Sequence, residues 1–160
     1  GDSDPVLEEQ WRGFDLAGAL SHAFSVPVKV ANDADVQGCG VVKGEGYEFV
    51  MTLGTGVGTA LFLDGRLIPH VDAGHAPFRK GQTFEEQLGN VVRKEVGNDR
   101  WRRRVAKALL AYDKFLFYDV VYVGGGNAKH LHPDDLSRKA TIVPNTAGIT
   151  GGVRLWDMDN

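Results

Sequence analysis

Apolar positions along the chain change their spacing several times, and each change marks an element. Phe14, Leu16, Ala17, Leu20, Ala23 and Phe24 recur at helical intervals, so a helix is expected over 14–24. Ser25 and Pro27 end it, because proline cannot continue a helix. The polar residues 1–13, with Pro5 and Gly13, read as a leading loop. Val26–Ala31 is expected to be a short β-branched strand stopped by Asn32-Asp33. Ala34–Val42 then reads as a short helix with Asn32 or Asp33 as its cap. Lys43-Gly44-Glu45-Gly46 is the expected internal joint.

Beyond that joint the spacing shifts toward strands. Tyr47–Leu53, Thr59–Leu63 and Arg66–His70 are expected strands, with turns at Gly54–Gly58 and at Asp64-Gly65, a hairpin dipeptide. Gln82–Val96 and Arg100–Leu116 are expected helices; in the second, Trp101, Val105, Ala108, Leu109 and Tyr112 share one face. Asp119–Val123 reads as a buried strand, Thr141–Val143 as a last short one, and Ala147–Trp156 as a glycine-interrupted helix. Strands followed by alternating helices and strands imply an α/β fold with a mixed sheet flanked by helices.

Composition narrows the function classes. The 160 residues suffice for one core, and 42% hydrophobic with 24% charged residues is ordinary for a soluble α/β protein. A net charge of −3 gives no electrostatic case for nucleic acid or an anionic membrane, so neither is expected as a partner. The single Cys39 excludes an internal disulfide and a multi-cysteine zinc site. It also suits a reducing compartment, and a cytoplasmic location is the expectation. No apolar run approaches the roughly 18 residues of a membrane span. The chain opens Gly1-Asp2-Ser3-Asp4-Pro5, without an initiator Met or a signal-like stretch, and is expected to be a piece of a longer protein.

Five clusters could carry chemistry. Gly54-Thr55-Gly56-Val57-Gly58 lacks both the Walker A ending and the dinucleotide-binding glycine spacing. As a hairpin tip it can aim backbone N–H groups at one anion, or be simply a turn. Gly124-Gly125-Gly126-Asn127 follows a strand, at the sheet edge where α/β proteins bind ligands, or serves as a tight connection. Asn32-Asp33 at a strand end is the candidate for acid/base work, with Asp33 accepting a hydroxyl proton and Asn32 orienting that hydroxyl; a helix cap is the alternative use. Asp72 and His75, spaced i, i+3, could grip a polyol from one face of a turn. A basic concentration of Arg93, Lys94, Arg100, Arg102, Arg103, Arg104 and Lys107 is either a solvated helix face or a track for a polyanion such as polyphosphate.

In order along the chain, these clusters resemble the ROK family of sugar kinases. Asn32-Asp33-Ala34-Asp35 resembles the family segment carrying the catalytic aspartate. Leu53–Leu61 resembles its second phosphate loop with the strand that follows. Asp72-Ala73-Gly74-His75 stands where the family has Glu-x-Gly-His, and Val123–Gly126 resembles the adenosine-side turn. Asn145–Gly152 resembles the closing helix, so the likeness runs over 11–156. The absent cysteine-rich zinc motif points to the polyphosphate-glucokinase-like branch, with no structural zinc expected.

The resemblance implies the actin-like, ribonuclease-H-like ATPase fold, with residues 1–45 as the tail of an N-terminal kinase domain plus connecting helix and 46–160 as the C-terminal domain. The family's Asp-x-Gly-Gly-Thr hairpin, which binds phosphate and helps to hold Mg²⁺, has no counterpart, so the N-terminal domain is expected to be largely absent and this chain near-silent by itself. The implied reaction is phosphoryl transfer from ATP or polyphosphate, with Mg²⁺, to the 6-hydroxyl of glucose or a related hexose. Asp33 is implied as the general base, with Asn32, Asp72 and His75 on the sugar. Gly54, Thr55, Gly56 and Gly58 fall on the transferred phosphate, and Gly124, Gly125, Gly126 and Asn127 on the nucleotide. The family also allows a homodimer. The alternative is a non-catalytic ROK-like domain that binds sugar or nucleotide.

Overall fold

A computed structural model of the chain describes residues 5–157. Residues up to Ala31 form one compact unit and those from Asn32 a second. In the first, α1 (Pro5–Trp11) occupies part of the expected leading loop, of which residues 1–4 lie outside the described residues. Glu9 and Gln10 favour helix as readily as loop, and their polarity misled a reading based on apolar spacing. α2 (Leu16–Phe24) begins at Asp15, whose carboxylate accepts from Gly18 N at 2.9 Å, and ends at Ser25 in a left-handed conformation. The strand expected over 26–31 does not form. A strand exists only through a neighbour's hydrogen bonds, and none of the described strands pairs with these residues.

The second unit is built around β1 (Tyr47–Leu53). It pairs antiparallel with β2 (Val57–Leu63) and parallel with β6 (Val120–Gly124). A short β3 (Arg66–Leu67) and β7 (Ala140–Ile142) complete the order β3-β2-β1-β6-β7. The sheet is therefore mixed, as expected. Alternate side chains of β1 enter different cores. Phe49, Met51 and Leu53 join Val121 and Val123 beneath Trp101, Val105, Leu109 and Tyr112 of α6 (Asn98–Leu116). Val50 turns to the opposite face with Phe62, Tyr122 and α3 (Asp33–Cys39), which also packs on α7 (Ala147–Arg154). Both faces of the central strands are covered, which is why they read as nearly continuous apolar runs.

The expected helix over 82–96 is divided. Residues 77–83 form a small hairpin of β4 (Pro77–Arg79) and β5 (Gln82–Thr83), and Thr83 then caps α4 (Phe84–Leu88) in a reciprocal box with Glu86. Gly89 breaks the helix before α5 (Asn90–Val96), where Asn90 N donates to the carbonyl of Thr55 at 3.1 Å. Tertiary contact with the β1–β2 turn thus overrides helix continuity. Among the described residues no helix is long and apolar enough to cross a membrane.

Lys43–Gly46 lie within the second unit, held by the fully buried Glu48. Its carboxylate accepts from Lys43 N at 2.7 Å, Gly44 N at 2.8 Å and the Tyr122 hydroxyl at 2.9 Å. Burial, and secondarily this carboxylate, pushes the Tyr122 phenol up to about 12. Glu48→Ala strands three donors in a closed site, at about 1–3 kcal/mol for each that finds no water. Chemical denaturation is expected to show that loss; a variant as stable as the parent would show that water replaces the carboxylate.

Candidate active site

Asn32 and Asp33 open α3 at the second unit's own N-terminal edge. Asn32 Oδ1 accepts from Ala34 N at 2.8 Å, so it is the cap. Asp33, the first helical residue, is exposed. Beside it lies the β1–β2 turn. A Cβ on Gly58 would come within 2.5 Å of Thr52 Oγ1 and 3.0 Å of the Ala34 methyl, so only glycine lets α3 approach the turn this closely. From behind, Asn127 Nδ2 donates to Gly54 O at 2.8 Å, and Asn90 N holds Thr55 O. Glu85 of α4 accepts from Val57 N at 3.3 Å.

The third wall is the segment after β3. Thr59 Oγ1, on β2, donates to Val71 O at 2.8 Å and accepts from Ala73 N at 3.0 Å, fixing residues 71–73. Tyr112 of α6 donates to Ala73 O at 3.0 Å from within the core, where burial pushes its phenol far above the ordinary range. A single 3₁₀ turn, Ala73–His75, then places Asp72 and His75 on one side, their carboxylate and Nδ1 2.9 Å apart. His70, just upstream, binds Asp35 Oδ1 through Nδ1 at 3.1 Å.

Together these walls enclose a cleft of about 320 Å³ lined by Asn32, Asp33, Thr52, the Gly54–Thr59 turn, His70, Asp72, His75 and Glu85. A second cleft of about 280 Å³ shares Asp33, Thr52 and Gly54 with it and continues to Gly125, Gly126, Asn145 and Gly148. A third, of about 420 Å³, shares Gly125, Gly126 and Asn145 and ends among Ala128, Ile142 and Pro144. Gly125 has φ +85°, and a Cβ there would meet the Leu53 backbone at 2.5 Å, so the turn after β6 lies flat against β1. Asp33 stands where the first two clefts meet.

Of the residues singled out in the sequence, Asn32, Asp33, Asp72, His75, Gly54, Thr55, Gly56 and Gly58 come together in the first cleft. Gly125 and Gly126 line the next two. Gly124 and Asn127 stand behind: Gly124 ends β6, and Asn127 is nearly buried and braces the phosphate-loop candidate. His70, Asp35, Thr52 and Glu85 received no role from the sequence. Asp35 carried a signal, as the second acid in Asn32-Asp33-Ala34-Asp35, but its burial and its partner thirty-five residues away did not. Among the described residues no group of three or more His, Cys, Asp or Glu gathers to hold a metal ion. A Mg²⁺ at this cleft would accordingly be held mainly through phosphate oxygens, its usual manner with nucleotides.

A mixed sheet of this order, with a glycine turn between its first two strands and a cleft across its strand ends, defines a domain of the actin-like ATPase fold. The chain belongs to the ROK family, whose sequence profile matches residues 6–89. It is 30% identical to a polyphosphate glucokinase of Mycobacterium tuberculosis, over 91% of this chain and 60% of that protein. A polyphosphate glucokinase of Mycobacterium leprae is 28% identical, over 91% of this chain and 49% of its own length. The crystal structure of an inorganic polyphosphate/ATP-glucomannokinase from Arthrobacter sp. strain KM superimposes with a TM-score of 0.80 at 28% identity, covering 99% of this chain and 68% of that one. The chain thus spans at most about 60% of these two curated relatives.

Proposed function

We propose that the protein is a sugar kinase that transfers a phosphoryl group from ATP or polyphosphate to a hexose, with the 6-hydroxyl of glucose as acceptor. The observation that carries this reading is the placement of Asp33 at the junction of two clefts. One is walled by polar side chains able to hydrogen-bond hydroxyls, the other largely by glycine turns. The names of the relatives, polyphosphate glucokinases and a polyphosphate/ATP-glucomannokinase, agree with it.

The sugar lies in the first cleft. Asn32 Nδ2 donates to it, while Asp72 and His75 contact other hydroxyls. Asp33 accepts the proton of the attacking hydroxyl as its oxygen bonds to phosphorus and the donor's remaining phosphates leave. The Gly54–Gly58 turn faces the transferring group with backbone N–H donors, which stabilise charge without reorganising. Gly125 and Gly126 leave a flat floor for a nucleoside, with Gly124 and Asn127 fixing that floor. Mg²⁺, when bound to the donor, supplies further charge neutralisation. Residues 1–45 are, in this reading, the tail of a second domain that completes the phosphate site.

A coupled assay with glucose and either donor, on a form of the protein that includes the remainder of the kinase, tests the proposal. Glucose-dependent product is expected. Saturable glucose binding without transfer from either donor would instead make this a non-catalytic sugar-binding member of the family.

In this reading a polyphosphate donor is served by the exposed cations of α6. Arg102 is taken up by Asp99, Asp135 and the His130 carbonyl, and Arg104 Nη1 lies 3.3 Å from the Gln87 carbonyl. Arg100, Arg103 and Lys107 remain exposed, opposite the buried Val105 and Leu109. Arg100→Gln with Arg103→Gln is therefore expected to weaken polyphosphate use several-fold, and less so at high salt, while ATP use is unchanged. Equal effects on both donors, or none, would make the stripe an ordinary solvated face.

A further inference from the structure

Asp35 is the costliest side chain near the cleft. It is only 5% exposed, on the same helix as Ala34 and Cys39, which belong to the apolar cluster under α3. Burying a carboxylate there works against folding, and burial is the main cause of its raised pKa. Its partner is His70 Nδ1 at 3.1 Å, whose side chain is 35% exposed and lines the cleft that holds Asp33. A carboxylate on Nδ1 holds the proton on that nitrogen. In the neutral imidazole that donates from Nδ1, Nε2 is the acceptor end, and a fixed acceptor suits the hydroxyl of a bound polyol. Asp72 and His75 repeat the pairing on the same cleft, but with 53% and 66% of their side chains exposed they lack a buried anchor.

We propose that His70, positioned by Asp35, is a specificity-determining sugar ligand that accepts a hydrogen bond from one particular hydroxyl of the hexose. The proposal rests on the reading of the first cleft as a sugar site. The segment carrying His70 is tied down one residue later, where Thr59 holds Val71 and Ala73, so the imidazole is aimed by two independent constraints. The charged or titratable groups that share its surroundings are Asp33 and Asp35 from α3, Asp72 and His75 from its own segment, and Glu85 from α4.

The test is nitrogen-15 NMR of the imidazoles in the 160-residue chain at neutral pH, titrated with glucose and its 2-, 3- and 4-deoxy analogues. The expected result has His70 as the Nδ1–H tautomer, with glucose shifting both His70 and His75. One deoxy analogue should fail to shift His70 while still shifting His75. It should also bind more weakly than glucose by roughly 2- to 12-fold, the range of one neutral hydrogen bond.

If His75 responds and His70 stays silent, or if His70 responds alike to every analogue, the inference is overturned and the sugar site stands. If neither imidazole moves and no saturable binding is seen, the sugar site itself falls, and the inference with it. Asp35→Asn separates positioning from folding. The folded-state pKa of Asp35 lies above its ordinary value, so at neutral pH the ionised carboxylate opposes folding and its removal should leave the fold intact. That variant should bind glucose as weakly as the discriminating deoxy analogue binds the parent. Unchanged affinity and unchanged discrimination in a folded Asp35→Asn chain would refute the role given to Asp35.

Discussion

Asp33→Asn is expected to lower turnover by about 10²–10⁴-fold, the span typical of a lost general base, with sugar affinity within a few-fold of the parent. Asparagine keeps the size and planarity of the carboxylate but cannot take the proton that the attacking hydroxyl must lose. The substitution should not disturb the helix, because the cap bond at the start of α3 belongs to Asn32 and the exposed Asp33 side chain is no part of the core. Separate measurement of kcat and of equilibrium glucose binding, in a catalytically active form of the protein, checks both halves. A kcat within a few-fold of the parent would remove Asp33 from the chemistry and leave it as a residue of the first helical turn. A matching loss of binding would mean that Asp33 holds the sugar instead of activating it.

Trp101→Ala carries the largest expected cost in stability, about 3–5 kcal/mol, as for large aromatic side chains removed from a closed core. Trp101 is fully buried within the cluster that backs β1 and β6, and its indole N–H donates to the Leu88 carbonyl at 2.7 Å. That carbonyl lies at the end of α4, so the same bond ties down the helix that brings Glu85 to the cleft. A loss of this size approaches the whole stability of a typical domain, about 5–15 kcal/mol, so the variant should be largely unfolded at modest denaturant. Trp101→Phe separates the two contributions. It retains most of the apolar contact and loses the hydrogen bond, and should cost about 1–3 kcal/mol. Denaturant midpoints for the two variants decide the matter; near-equal losses would assign the effect to the bond at Leu88 and not to packing.

The sequence pattern alone was enough for β1, β2 and β6, which show as apolar runs bounded by turn residues, and for α6, which runs long enough for its helical period to be counted. Asn32, Asp33 and the two glycine turns stood out by residue type before any contact was known, and the structure places them along the clefts. Elements whose existence depends on a distant neighbour were not legible. Val26–Ala31 has strand composition and forms no strand, since composition does not provide a pairing edge. Gln82–Val96 has helical composition and is cut at Gly89, where the backbone must meet Thr55.

The Asp35–His70 pair shows the same division within the site. The motif around Asp33 displayed Asp35 plainly, yet its burial and its partner His70, thirty-five residues along the chain, exist only in the packed structure. What the sequence by itself determined was the family and the sheet's central strands, and it named the candidates for chemistry. Which of those residues share a cleft, which merely brace it and which buried acid aims an imidazole were decided only by tertiary structure. Burial and proximity are properties of the packed chain, and a one-dimensional pattern does not contain them.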